Sequence, residues 1–215
     1  MPKVLIIEPS FAYVNLFTSH GWELTRNIND ADLVQFTGGD DVSPYLYGED
    51  VHPETCSNRA RDIRELGIWK EAFDRGIPMA GICRGGQFLH VMNGGDMWQH
   101  VEGHAMYGTH EAHSLDGSIS LAVTSTHHQA MRETDNGGEI LLVGEVHGSC
   151  EHMFNGDIEY LCPEYSIESI YYKSSKCLCF QPHPEFDTAP ESCTNYYMNK
   201  LWELFGLKGA VCVVK

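Results

Sequence analysis

Short apolar runs alternate with longer amphipathic stretches along the first half of the chain. An uninterrupted apolar run predicts a strand covered on both faces, and apolar residues three and four positions apart predict a helix. The runs that predict strands are 3–8, 22–26, 33–37 and 77–82. The stretches that predict helices are 11–20, 59–75 and 87–93. This alternation is typical of an α/β fold with a mainly parallel, flavodoxin-like central sheet and helices on both faces.

The second half of the chain shows a different pattern, in which short strands are separated by polar turn residues. The strands that it predicts are 118–123, 139–146, 158–161, 167–172 and 177–180. Strands joined by short turns pair antiparallel, so we expect a small antiparallel extension of the sheet. A closing amphipathic helix is predicted over 190–205. We expect the tail 206–215, which is apolar towards its end, to add an edge strand or a homodimer contact.

Composition narrows the class of protein. A chain of 215 residues that is 42% hydrophobic can bury a sizeable core, and we expect residues 1–215 to form a single domain. The net charge of −16 argues against nucleic acid or an anionic membrane as a partner. No apolar run is long enough to span a bilayer, and the apolar start is too short for a signal peptide. The eight cysteines lack regular paired spacing, which fits free thiols in a reducing, cytoplasmic compartment.

One cysteine lies at the junction between a predicted strand and a predicted helix. Cys83 follows the run 77–82 and is flanked by Gly81 and by Gly85-Gly86. Glycines on both sides allow the sharp turn of a nucleophile elbow, and the helix N-terminus behind it favours a thiolate. The alternative is a buried structural cysteine, which is the usual state of a free thiol.

A second stretch, Gln181-Pro182-His183-Pro184-Glu185, supplies the groups that a cysteine nucleophile needs. His183 can take the thiol proton and return it to a leaving group, and Glu185 can orient and stabilise the imidazolium. The two prolines stiffen the loop that carries both side chains. We therefore predict Cys83, His183 and Glu185 as catalytic residues.

A glycine pair ends the predicted strand 33–37. Gly38-Gly39 is most simply a surface turn. Because the ends of parallel strands meet at one edge of a sheet, the pair is also expected near Cys83, where its N–H groups and that of Arg84 would form an oxyanion hole.

Taken together, these motifs resemble class I glutamine amidotransferases, and most closely the γ-glutamyl-γ-aminobutyrate hydrolase branch. The resemblance runs from about residue 37 to residue 185. It is carried by the cysteine elbow, the His-x-Glu loop, the segment Gly38-Gly39-Asp40-Asp41-Val42-Ser43-Pro44 and the segment Thr126-His127-His128-Gln129-Ala130.

The resemblance implies further site residues. Gln87, one helical turn after Cys83, would touch the glutamyl part of a substrate, and Thr126, His128 and Gln129 would line its pocket. Gly86 stands where the family usually has a large apolar residue, so we expect a small gap behind the elbow.

Two polar segments remain open to interpretation. His100, His104, His110, Glu111 and His113 have spacings that could suit zinc, but we expect a solvated loop and no metal site. Arg61 and Asp62, at the start of the helix 59–75, are expected on a solvated face, with a role near the substrate as the less favoured interpretation.

The implied activity is cleavage of the γ-glutamyl amide bond of a γ-glutamyl amine or glutamine, through a γ-glutamyl thioester on Cys83, with no cofactor. An alternative is a glutaminase that supplies ammonia to a separate synthetase or transferase, since the chemistry at Cys83 would be the same. A catalytically silent binding protein on the same fold is the third interpretation, which the complete Cys-His-Glu set disfavours.

Overall fold

The computed structural model describes residues 1–104 and 108–207. Its helices are α1 Phe11–Ser19, α2 Arg59–Asp74, α3 Arg84–Met92 and α4 Glu191–Phe205. Its strands are β1 Lys3–Ile6, β2 Glu23–Thr25, β3 Leu33–Phe36, β4 Met79–Ile82, β5 Asp96–Trp98, β6 His100–Val101, β7 Gly108–His113, β8 Ser120–Ser125, β9 Ala130–Arg132, β10 Glu139–Gly144, β11 Cys150–Phe154, β12 Asp157–Leu161, β13 Ser166–Tyr172 and β14 Cys177–Phe180.

The main sheet has the strand order β2-β1-β3-β4-β14-β13-β10-β7-β8. The strands from β2 to β14 pair in parallel, and those from β13 to β8 pair antiparallel. Parallel pairing was predicted for the four strands of the first half of the chain, and β14 joins them from the second half. Strands β5 and β9 join the antiparallel part, and β6, β11 and β12 form a second sheet. The antiparallel part is therefore larger than the small extension predicted.

Apolar side chains cover both faces of the parallel strands. On one face Leu16 and Phe17 of α1 and Leu201 of α4 pack against Val4 and Ile82. On the other face α2 and α3 pack against a second core of buried residues that includes Val34, Phe36 and Met79. Helices thus lie on both faces, which confirms the predicted architecture.

The parallel register brings three strand ends together. Gly81 of β4 lies opposite Phe36 of β3 on one side and opposite Cys179 of β14 on the other. The loops that follow these strands therefore leave the sheet side by side, and they carry the glycine pair, the cysteine and the His-x-Glu segment.

Several segments differ from the sequence prediction. Strands β5, β6, β7, β9 and β11 were not predicted. Three of them (β5, β6 and β9) are only two or three residues long, and β7 and β11 mix apolar residues with histidines and acidic residues. Residues 208–215 of the tail expected as an edge strand or dimer contact lie outside the described residues. Within the described ranges, no helix combines the length and the apolar character needed to span a membrane. The seven cysteines of the described part form no disulfide.

Candidate active site

Cys83 occupies a strained turn between β4 and α3. Its φ and ψ angles are 51° and −117°, a region that L-residues rarely adopt. The neighbouring glycines are needed for close packing: a Cβ at Gly81 would lie 2.2 Å from the carbonyl carbon of Gly85. A Cβ at Gly85 would lie 2.4 Å from the carbonyl oxygen of Phe36. The turn thus has the geometry of the predicted nucleophile elbow.

The start of the helix and the space behind it correct two expectations. Helix α3 begins at Arg84, three residues before the predicted Gln87, because the glycines are accommodated in its first turn. The expected gap at Gly86 is absent. A Cβ there would lie 2.8 Å from the backbone nitrogen of Phe180, so the adjacent strand fills the space.

The His183 ring lies beside Cys83 and is bound to a carboxylate. Its Nδ1 lies 2.7 Å from Oε1 of Glu185. A Cβ placed on Gly38 would lie 3.0 Å from Cε1 of the ring and 3.7 Å from the Cβ of Cys83, so the ring and the cysteine flank the same glycine. Burial lowers the pKa of His183, but Cys83 and Glu185 together raise that pKa to about 10. The backbone N–H of His183 donates to Oγ1 of Thr124 over 2.6 Å, and Phe186 stacks on the ring at 4.3 Å between centroids. The structure therefore brings the three predicted catalytic residues together.

Tyr13 of α1 is a site residue that the sequence analysis missed. The N–H of Gly38 donates to its hydroxyl over 2.8 Å. Burial, followed by the charge of Glu185, raises the pKa of Tyr13 well above its usual value. Tyr13 therefore holds the glycine loop at the edge of the triad. The apolar spacing of α1 indicates only a buried position, so no sequence signal marks this role.

The glycine pair has two different functions in the structure. The N–H of Gly38 is occupied by Tyr13, and a Cβ at this position would lie 3.0 Å from Cε1 of His183. Gly39 has a φ of 137°, and a Cβ there would lie 2.2 Å from Nη1 of Arg61. Gly38 thus leaves room for the histidine. Gly39 lines the same pocket as Cys83 and Arg84, where the oxyanion donors are expected.

A buried ionic network lies behind the elbow. The Arg84 side chain is paired with Asp62 and Glu65. Arg61 donates to Oε1 of Glu65 over 2.8 Å and to the carbonyl oxygens of Thr37 and Gly38 over 2.8 and 3.0 Å. The predicted solvated face of α2 is therefore wrong: Arg61 and Asp62 are buried.

The reason for this error is the position of α2 beside the glycine loop. Free carbonyl oxygens at the end of β3 and a buried Arg84 require charged partners, and the first turns of α2 supply them. Consequently Ile63 and Phe73, two of the apolar residues of this helix, are 59% and 47% exposed.

A pocket of about 210 Å³ opens beside Cys83. Gln87, Thr126, His128 and Gln129, the four residues implied by the resemblance, all line it. The Gln87 amide donates to the carbonyl oxygen of Gln129 over 2.9 Å, so it holds the loop that follows β8. The Gln129 amide donates in turn to the carbonyl oxygen of Gln99 over 3.0 Å.

A histidine and a carboxylate meet in the pocket wall. Nε2 of His128 lies 3.1 Å from Oδ1 of Asp41, and this hydrogen bond raises the pKa of His128. The partly exposed pair offers an imidazole and a carboxylate to a ligand.

Gln181 is a second residue that the sequence analysis missed. It lies at the end of β14, where its Nε2 is 3.7 Å from the Cys83 sulfur and its Oε1 accepts from Gln87 over 3.1 Å. Its place two residues before His183, in the same strand-end loop, was the available signal.

The histidine-rich segment is more ordered than predicted. His100 belongs to β6, while His110 and His113 belong to β7. His104 is buried, and only His113 of these four is exposed. The expected solvated loop is therefore wrong for most of the segment, because it pairs with β8, β10 and β11.

Comparison with known proteins gives one family match and several relatives. The sequence profile of the family described as Peptidase C26 matches residues 14–185. The "Putative glutamine amidotransferase-like protein YvdE" of Lactococcus lactis subsp. lactis (strain IL1403) is 28% identical over 204 residues, covering 84% of this chain and 77% of that protein. The γ-glutamyl-γ-aminobutyrate hydrolase PuuD of Escherichia coli (strain K12) is 41% identical over 56 residues, covering 26% of this chain and 22% of that protein.

The fold has solved counterparts. A crystal structure of a glutamine amidotransferase from Thermotoga maritima superposes with a TM-score of 0.59 at 15% identity, covering 95% of this chain and 82% of that chain. At this identity the likeness shows the fold. Two further relatives are matched over 41% and 53% of their own lengths. The profile match covers most of the chain, and the chain therefore belongs to the Peptidase C26 family, a class I glutamine amidotransferase-like family whose chemistry is at amide bonds.

Proposed function

We propose that the protein is a cysteine hydrolase that cleaves the γ-glutamyl amide bond of a small γ-glutamyl amine or of glutamine. The observation that carries this proposal is the position of the His183 ring, which lies beside Cys83 next to Gly38 and has its Nδ1 2.7 Å from the Glu185 carboxylate. A nucleophile, a base and an orienting group beside one pocket are the requirements for acyl transfer.

The proposed reaction has two steps. The Cys83 sulfur attacks the γ-carbonyl carbon, His183 gives its proton to the departing amine, and a γ-glutamyl thioester remains. Water, deprotonated by His183, then attacks the thioester, releases glutamate and restores the cysteine. The backbone N–H groups of Gly39 and Arg84 are the proposed donors to the oxyanion of both steps.

The choice of a γ-glutamyl substrate has separate support. The pocket holds an anionic Asp41 beside His128, and an amino-acid head group carries both an ammonium and a carboxylate that such a pair can bind. Its volume of about 210 Å³ suits a small substrate. The name of the PuuD relative describes a γ-glutamyl amide hydrolase, although the match covers 26% of this chain.

The first prediction concerns the triad. We expect Cys83→Ala to abolish release of amine from γ-glutamyl amines, and His183→Ala to lower kcat/KM by about 10²–10⁴-fold, because both proton transfers use that ring. Glu185→Gln should cause a smaller loss, since an amide still orients the ring. The assay measures amine release from a panel of γ-glutamyl amines and from glutamine, with folding followed by circular dichroism.

Cys162→Ala is the matched control, because this exposed cysteine lies outside the pocket. Retention of wild-type activity by Cys83→Ala would refute the proposal. Activity on glutamine that appears only when a synthetase or transferase is added would favour the ammonia-supplying alternative.

A further inference from the structure

Three histidines and a glutamate meet in the interior of the antiparallel part of the sheet. Glu168 of β13 is 0% exposed, and His104 and His127 are 2% and 3% exposed. The rings of His104 and His127 stack at 4.9 Å between centroids, and His110 lies 5.5 Å from His104. His127 also lines the pocket beside Cys83, so the cluster lies directly behind the candidate active site.

The polar atoms of this cluster are unusually poor in partners. Within the described residues, both carboxylate oxygens of Glu168 and both ring nitrogens of His110 and of His127 are buried without a hydrogen bond. Nε2 of His110 approaches Oε1 of Glu168 to 3.1 Å, as an ion pair rather than a well-aligned hydrogen bond. Buried polar groups are normally satisfied, so this concentration of unsatisfied atoms calls for a missing partner.

The arrangement of the atoms suits a metal ion. One ligand atom each from His104, His110 and Glu168 lies within 4.8 Å of the other two. Ligands bound to zinc at about 2.0–2.1 Å in a tetrahedron stand about 3.3 Å apart, close to the separation of His110 and Glu168. We propose that His104, His110 and Glu168 bind one divalent transition-metal ion, best zinc, with His127 or water at the fourth position. Two histidines and one carboxylate are a ligand set that zinc accepts.

Charge supports the same assignment. Glu168 is 0% exposed, and a carboxylate buried to this degree is costly unless a cation lies against it. A metal ion would supply that cation, and a protonated His110 paired with Glu168 is the competing explanation.

An ion at this position would stabilise the candidate active site from behind. The backbone N–H of Gln181 donates to the carbonyl oxygen of Glu168 over 2.8 Å, and His127 precedes the pocket residue His128. Through His110, Glu168 and His127, the ion would thus join β7, β13 and the loop after β8, close to the His-x-Glu segment. Its proposed role is structural, and no step of the proposed reaction passes through it.

The test measures the metal content of proteins that carry Cys83→Ala. In this background no zinc can bind to the candidate nucleophile. Because the readout is bound metal and not activity, the result does not depend on the proposed function. Each protein is stripped with chelator, equilibrated with a small excess of zinc, freed of unbound metal by desalting and analysed by mass spectrometry for bound metal. We expect one equivalent of zinc per chain, lost on the additional substitutions His110→Gln or Glu168→Gln, with affinity lowered by about 100-fold or more. His113→Gln, an exposed histidine of the same strand, is the matched control and should keep the ion.

A second readout covers the case in which a variant folds poorly. Cobalt(II) bound in place of zinc should give the visible absorption of a tetrahedral site. Chelator should lower the Tm of the Cys83→Ala parent, but it should not lower the Tm of a folded protein that also carries His110→Gln. If Glu168→Gln fails to fold, His104→Gln takes its place. A parent that binds no more zinc or cobalt than His110→Gln would overturn the proposal and leave a buried histidine–glutamate ion pair.

Discussion

Among single residues, His183 is subject to the strongest opposing influences. The ring is mostly buried, with Phe186 against one face, and burial alone would favour the neutral form. Cys83 and the Glu185 carboxylate reverse this preference and raise the pKa of His183 to about 10. At neutral pH the ring is therefore an imidazolium, and it holds the proton that the leaving amine requires.

The second prediction follows from the part that Glu185 plays. A raised pKa means that the imidazolium persists until the pH rises through that value, so the proposed activity should fall on the alkaline side. Removing the carboxylate charge with Glu185→Gln should lower the pKa of His183 and move the alkaline limb of kcat/KM to lower pH by about one unit or more. The measurement is the pH profile of kcat/KM on a γ-glutamyl amine.

Asp187→Asn is the control for this shift, because Asp187 is an exposed acid two residues after Glu185 and has no bond to the His183 ring. Its profile should match the wild type. An alkaline limb unchanged in Glu185→Gln would show that this carboxylate does not set the protonation of His183.

At the level of secondary-structure elements, α2 is where prediction from the sequence failed most clearly. Its apolar residues have roughly helical spacing, which is why the charged residues between them were assigned to solvent. The structure instead turns Arg61, Asp62 and Glu65 inwards, towards Arg84 and the carbonyl oxygens after β3. Periodicity shows that a helix has two faces, but charged groups elsewhere in the chain decide which one is buried.

The third prediction tests the energetic importance of this network. Glu65 contacts both Arg61 and Arg84, and the burial of Arg84, together with the nearby charge of Arg61, lowers the pKa of Arg84 to about 10. Glu65→Gln leaves two buried guanidinium groups short of a negative charge, so we expect the free energy of unfolding to fall by about 3–5 kcal/mol. Urea unfolding followed by circular dichroism measures the change.

The exposed pair Lys70–Asp74 on the same helix provides the comparison, with Nζ and Oδ2 2.6 Å apart. Asp74→Asn should cost no more than about 0.5 kcal/mol, since solvent screens surface pairs. Equal costs for the two substitutions would mean that the buried network contributes little to stability.

Considered as a whole, the molecule consists of a part that the sequence predicts well and a part that it predicts poorly. The parallel strands are continuous apolar runs, and the motifs at their ends mark the triad and the glycine loop. In the antiparallel part, β7 contains one polar residue, one charged residue and two histidines among its six, so its pattern resembles a loop. Its strands are specified by cross-strand partners distant in the chain. Tyr13 escaped prediction for a similar reason, because its partner Gly38 lies 25 residues away in the sequence.

The fourth prediction concerns His90, which joins the two parts. This buried ring of α3 has its Nε2 3.0 Å from the carbonyl oxygens of Asp96 in β5 and Arg132 in β9, and its Nδ1 2.7 Å from the hydroxyl of Tyr172 in β13. The neutral ring satisfies all three partners by donating from Nε2 and accepting at Nδ1. Burial lowers the pKa of His90 from its usual value near 6.5 to about 4.

The sign of the pH effect follows from this lowered pKa. Below pH 6.5 the unfolded chain binds a proton at His90 that the folded protein does not bind, so stability is complete above pH 6.5 and falls as the pH decreases towards 4. Between pH 7 and pH 5 this single group should cost about 2 kcal/mol of unfolding free energy. His90→Gln cannot titrate, so its stability should fall by about 2 kcal/mol less over the same interval, whatever its stability at pH 7. Urea unfolding at pH 7 and at pH 5 measures the difference. His113→Gln, which changes an exposed histidine, is the control and should follow the wild type. If the unfolding free energies of the wild type and of His90→Gln had equal pH slopes, that result would contradict a neutral His90 at the junction of the two parts.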